Sequence, residues 1–207
     1  MSIDLNDKKL DIEASAKIAL KDKKLCEQLI ENLWSKNETL RYNSSKILFE
    51  ITKHKPQFLY HKWDELEKFL DSDNTYHKLS AVLLLGNLTQ ADKDKKFEKL
   101  FNKYYSLMDD KSYITAAYIA QASASIALAK PELQTKVTNK LLKIDETHHI
   151  QERKDLVKAY IIDAFAKYYD KTKNKKKILE FVEKQLDCQS PKTRKKAKDF
   201  LKHIQHP

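Results

Sequence analysis

A chain of 207 residues that contains a single glycine, Gly86, has few folds open to it. Average chains carry about 7% glycine. Nucleotide-binding α/β domains need Gly-rich loops that let backbone N–H groups approach phosphate, and β-rich domains need glycine where turns take positive φ. Gly86 alone supplies neither, so P-loop, dinucleotide-fingerprint and kinase-type architectures fall away together. Long helices joined by short polar turns remain. At this size roughly 70% of the unfolded surface is buried without help from disulfides or metals.

The helices carry a period. Inside apolar helical stripes a small residue recurs at Ser45, Ala81, Ala120, Ala159 and Ala197, spaced 36, 39, 39 and 38 residues apart. Three and four positions later stand pairs such as Leu48 and Phe49, Leu84 and Leu85, or Phe200 and Leu201, on the same helical face. Eleven positions after each of the first four small residues comes Pro56, Asp92, Pro131 or Asp170. Proline suits the first turn of a helix, where its missing N–H goes unused, and aspartate caps that turn, so each unit reads as helix, tight break, helix. The second helices have their own stripes: Leu59, Trp63, Leu66 and Leu70; Phe97, Leu100, Phe101, Tyr104 and Met108; Leu133, Val137, Leu141 and Ile144; Ile178, Phe181, Val182 and Leu186. Adjacent tyrosines at 104/105 and 168/169 are expected to place one ring inside and one outside.

A helix pair of this length cannot bury its apolar face alone, so neighbouring pairs must stack around one continuous core. The expected chain is all-α and a single domain. It has a degenerate first pair over 12–34, pairs over 37–70, 73–108, 111–144 and 150–187, and a terminal capping helix over 190–204. The run Arg194, Lys195, Lys196, Ala197, Lys198, Asp199, Phe200, Leu201 and the run Lys78 to Gly86 resemble the first-helix motif of HEAT repeats. That resemblance implies a right-handed α-α superhelix of about five pairs whose second helices line a concave face. It further implies a noncatalytic scaffold that binds a protein partner or nucleic acid, of which a protein partner is the leading expectation. HEAT-like alkylpurine DNA glycosylases share the architecture, and Trp63, Arg153 and Asp155 are the nearest residues here to that family's aromatic, basic and acidic groups.

Charge is unevenly placed. The net is +10, yet residues 171–207 hold 12 Lys and Arg against 4 Asp and Glu, while the preceding 170 hold 28 against 26. The last helix, with Ser190 as cap and Pro191 at its first position, sets an apolar stripe of Ala197, Phe200, Leu201 and Ile204 against a cationic face. Lys192, Lys195, Lys198 and Lys202, with Lys175, Lys176 and Lys177, are therefore candidates to bind a polyanion through counterion release. On the implied concave side, Lys136, Lys140 and Lys143 share a face, and a shift of 75 residues brings His61, Glu65 and Lys68 into the same phase. Glu65 interrupts a basic ladder, leaving His61, Trp63, Lys136, Lys140 and Lys143 as candidate contacts.

Nothing points to a cofactor or metal. Asp145, Glu146, His148, His149 and Glu152 cluster at a break but match no metal-ligand spacing, and they read as capping and solvated groups. Cys26 and Cys188 lie far apart without redox or zinc spacing, which fits reduced thiols and a cytoplasmic setting. The charged stretch Met1 to Lys9 is no secretory signal. Ser112 to Ala129 is uncharged over 18 residues but carries Ser112, Thr115, Gln121, Ser123 and Ser125, so it reads as the most buried helix and not as a membrane span.

Overall fold

The computed structural model describes residues 3–205 and divides into two compact units, Met1–Asp92 and Lys93–Pro207. Every regular element among the described residues is helical.

The first unit contains α1 (Ile12–Ala19), α2 (Lys23–Glu31), α3 (Glu38–His54), α4 (Trp63–Lys68) and α5 (Thr75–Leu88). Short polar side chains start four of these helices. Asp11, Asp22, Asn37 and Asn74 accept the N–H groups of Ala14, Leu25, Leu40 and Tyr76, which would otherwise have no intrahelical partner. Helix α3 is central and packs on α1, α2 and α5. Ile47, Leu48 and Ile51 of α3, Leu29 and Ile30 of α2, Leu33, and Trp63, Leu66 and Phe69 are all closed to solvent. The α3 and α5 faces are tied at three levels: Arg41 lies over the Tyr76 ring, the Ser45 and Ser80 hydroxyls bond at 2.9 Å, and Asn87 donates to Thr52 at 3.2 Å. Each pair is 35 residues apart in sequence, so one repeat length separates every rung of the seam.

The second unit contains α6 (Lys96–Ser106), α7 (Tyr113–Ala129), α8 (Gln134–Leu142), α9 (Gln151–Tyr168), α10 (Lys175–Glu183) and α11 (Pro191–Gln205). Helices α7 and α9 make the most extensive contact in it. Ala120 and Ala159, both fully buried, leave room for the two backbones to approach. Helix α11 packs on α9 and on the turn that precedes it. The Ser190 hydroxyl accepts the Thr193 N–H at 3.3 Å with Pro191 in the first turn, as the sequence indicates. Cross-links again run one repeat apart: Asn174 donates to Thr135, 39 residues back, and Thr193 donates to the Asp155 carbonyl, 38 residues back.

The four punctuation residues occupy 3₁₀ turns that precede the second helices. Pro56 and Pro131 open the turns Pro56–Phe58 and Pro131–Leu133, Asp92 closes Thr89–Ala91, and Asp170 lies within Tyr169–Lys171. The second helices therefore start later than the sequence marks suggest. They are also short, from six residues in α4 to eleven in α6, whereas α3, α5, α7, α9 and α11 run from 14 to 18. No helix among the described residues is long and apolar enough to cross a membrane.

Candidate interaction surfaces

Helix α11 shows how a terminal helix sorts its cations. At 100° per residue, Lys198, Lys202, Lys195, Asp199, Lys192 and His203 fall within an arc of about 140°. All six are exposed. Thr193, Ala197 and Phe200 fill the opposite, buried arc. Two further cations of the helix turn inward to other work. Arg194 donates to the Cys188 and Gln189 carbonyls at 2.6 and 2.9 Å, satisfying the end of the preceding turn, and Lys196 pairs with Asp163 at 2.8 Å. Lys192, Lys195, Lys198 and Lys202 make no ion pair among the described residues, and nor do the exposed Lys175, Lys176 and Lys177 at the start of α10. Lys192 rests 3.9 Å from the centre of the half-buried Tyr160 ring, and Lys175 lies 5.3 Å from that of Tyr169. Tyr169 in turn meets Phe200 of α11 edge-on, which links the two lysine clusters.

The second-helix candidates are dispersed. His61 is exposed in the turn before α4. Lys136 is exposed, Lys140 half-buried, and Lys143 is engaged with Glu146 at 2.9 Å. Trp63 departs from expectation as a contact residue: it is fully buried, and its indole N–H donates to Glu67 at 3.3 Å. Its place in the stripe with Leu59, Leu66 and Leu70 governs its direction. The tyrosine pair 104/105 also departs, because α6 buries both rings and the Tyr105 hydroxyl bonds Ser123 at 2.9 Å. Burial pushes the ionisation of both far up. At 168/169 the inner ring is buried and the outer one half-buried.

The acidic and histidine cluster is taken up by structural work. His148 donates from its backbone N–H at 2.7 Å and from its ring at 2.6 Å to Asp109, 39 residues back. The backbone donor leads in holding that carboxyl below its usual range. The His149 ring donates to the Met108 carbonyl at 3.1 Å. Lys158, almost wholly buried, bridges Asp145 at 2.8 Å and Asp155 at 3.1 Å, and Gln151 also donates to Asp155. Arg153, on the outer side of α9, covers the Tyr113 ring. Both cysteines are buried free thiols, and burial lifts Cys26 to about 11.

Sequence reasoning passed over one feature. Trp34, 48% exposed, stacks on buried Phe69 with ring centres 4.0 Å apart and meets His77 edge-on at 4.8 Å. Beside it Arg41 donates to the Ser35 carbonyl at 2.7 Å and covers Tyr76, which is 58% exposed. Tyr42, the next residue on α3, is 57% exposed beneath Lys46. Burial and the Arg41 charge hold His77 below its usual range, keeping the ring neutral. This aromatic rim lies where α3 and α5 begin. The only signal for it in the sequence is position: Trp34 borders the polar break Ser35 to Asn37, and Tyr76 follows the cap residue Asn74.

These elements define an all-α helical-repeat fold of the solenoid class. No protein-family model and no curated protein matches the chain by sequence. Among solved structures, it is similar to a designed armadillo repeat protein (TM-score 0.56, 18% identity, 97% of this chain and 96% of that one). It is also similar to an engineered protein (TM-score 0.51, 18% identity, 93% and 84%). At these identities the likeness is one of fold.

Proposed function

We propose that the chain is a noncatalytic binding scaffold whose first unit holds a protein partner, with the HEAT-type first-helix motif as the basis of its stacking. The aromatic rim carries this reading. Trp and Tyr are enriched in binding hot spots, and the exposed Trp34, Tyr42 and Tyr76 all lie near the starts of α3 and α5. Tyr42 and Tyr76 each leave more than half of the side chain open to solvent, beyond what the α3–α5 seam requires. The repeat fold suits such a role, since stacked pairs present an extended surface. Two free, buried thiols favour a reducing, cytoplasmic setting.

The test is a pair of affinity measurements on any protein retained by the wild-type chain and then purified. Tyr42→Ser/Tyr76→Ser should weaken its Kd at least tenfold, in line with loss of two hot-spot side chains at about 1–2 kcal/mol each. Lys198→Gln/Lys202→Gln, on α11, should leave it within about twofold. Equal affinity for wild type and the tyrosine variant would sink the reading.

A further inference from the structure

We infer that the outer face of α11, extended by the lysines at the start of α10, holds the phosphate backbone of duplex nucleic acid without regard to sequence. This goes beyond the protein-binding role of the first unit and rests on different residues. The two units differ sharply in charge. Residues 1–92 carry 14 basic against 15 acidic side chains, and residues 93–207 carry 26 against 15, so the first is near neutral and the second strongly positive. Within the second unit, cations that serve the fold are paired or bonded: Lys130 with Glu98, Lys158 with Asp145 and Asp155, Lys196 with Asp163, and Arg194 with two carbonyls. Lys192, Lys195, Lys198 and Lys202 make no such pair among the described residues, and they face outward together on one arc of α11.

The chemistry of that arc selects among polyanions. A membrane-binding helix inserts apolar side chains, but none of the exposed large hydrophobic residues lies on α10 or α11. A single strand binds by stacking bases on open aromatic rings. Here the nearby rings, Tyr160 and Tyr169, are half-buried beneath Lys192 and Lys175. A protein partner would need an aromatic or apolar anchor in the patch, and the exposed arc offers only Lys192, Lys195, Lys198, Lys202, His203 and Asp199. What fits is a rod of closely spaced phosphates. Lys192 to Lys202 spans about 15 Å at 1.5 Å per residue, and duplex DNA presents one charge per about 1.7 Å of axis. Long, unpaired lysine side chains reach such a target without a built pocket.

The experiment is fluorescence anisotropy of a labelled mixed-sequence duplex of about two helical turns, titrated between about 50 and 200 mM salt. With four to seven phosphates neutralised, log Kobs should fall against log salt with a slope of about −4 to −6. Lys192→Gln/Lys195→Gln/Lys198→Gln/Lys202→Gln should make the slope shallower by about 3–4 and weaken low-salt binding more than tenfold, with an unchanged thermal melt. Asp199→Lys, which removes the one anion in the arc, should tighten binding. Lys23→Gln/Lys24→Gln, in the near-neutral first unit, should leave it within about twofold. No duplex binding at low salt, or full binding by the quadruple variant, overturns the inference. So does equal or tighter binding of the same-length single strand, of polyglutamate or of anionic vesicles at matched salt.

Discussion

Replacing Lys158 with methionine should destabilise the second unit by about 3–5 kcal/mol, the usual cost of removing one partner from a buried ion pair. The magnitude follows from what remains. Lys158 and Asp155 are 5% and 4% exposed, so the Asp155 carboxylate would stay desolvated with only the Gln151 amide and the Cys188 thiol as donors. Asp145 is far more exposed and turns to water at little cost, about 0–1 kcal/mol. For a chain of this length the melting temperature should drop by about 6–20 °C.

Acidity supplies the stricter check. In the wild type, burial raises the Asp155 carboxyl but the Lys158 ammonium and the Gln151 amide outweigh it, holding it below the usual range. Its contribution is thus present above the unfolded value, about 3.9, and is lost as pH falls through the lower folded value. Lys158 is shifted the other way, burial being overcome by Asp145 and Asp155, so its contribution holds below about 10.4 and is lost as pH rises through the folded value. In Lys158→Met the unpaired carboxyl moves up, so the deficit is full near pH 7 and shrinks on acidification toward about pH 4.5 as Asp155 protonates. Thermal melts followed by circular dichroism at the two pH values, with Lys158→Met/Asp155→Leu expected to recover to within about 1 kcal/mol of wild type, make the measurement. A deficit below about 1 kcal/mol, or one of equal size at both pH values, would refute a buried, charge-compensated Asp155.

Two further outcomes are expected. Lys95 holds φ 55° and ψ 37° just before α6, a left-handed conformation that costs a residue with a Cβ about 1 kcal/mol; Lys95→Gly should raise the melting temperature by about 2–4 °C, and a decrease would show that the backbone is not so held. Of the two tryptophans, Trp34 is about half exposed and Trp63 sealed, so acrylamide should quench wild-type fluorescence in two classes and Trp34→Phe should leave only the protected one; uniform quenching would contradict both placements.

The helices were legible because the residues that permit close packing must recur with the packing. Ala120 and Ala159 mark where α7 and α9 approach, and a larger side chain at either would force the backbones apart. The cap at Ser190 was legible for a similar reason, since a helix opening on proline needs a short polar residue before it. The partners of the histidines were not. His148 and His149 look like a local cluster with Asp145, Glu146 and Glu152, yet their hydrogen bonds reach Asp109 and Met108 in the preceding repeat. Local spacing carries no trace of a bond made 39 or 41 residues away.

Trp34 was missed because the helix changes pitch. The α-helical phase that buries Cys26, Leu29 and Ile30 ends at Glu31, and from Asn32 the chain tightens into the 3₁₀ turn Asn32–Trp34. A 3₁₀ turn advances about 120° per residue, compared with about 100° in α2, and the chain then runs straight into the polar break at Ser35. Leu33 stays on the inner side and Trp34 is carried to the rim, where Phe69 supports one face of the indole and the other side meets solvent. The same tightening ends the second helices at Phe69–Asp71, Leu107–Asp109, Ile144–Glu146 and Lys184–Asp187. At Phe69 and Met108 it still delivers a buried side chain, because the following first helix covers the turn. Side chains in these turns therefore depend on the element packed above them, and Trp34, only partly covered, is left 48% exposed.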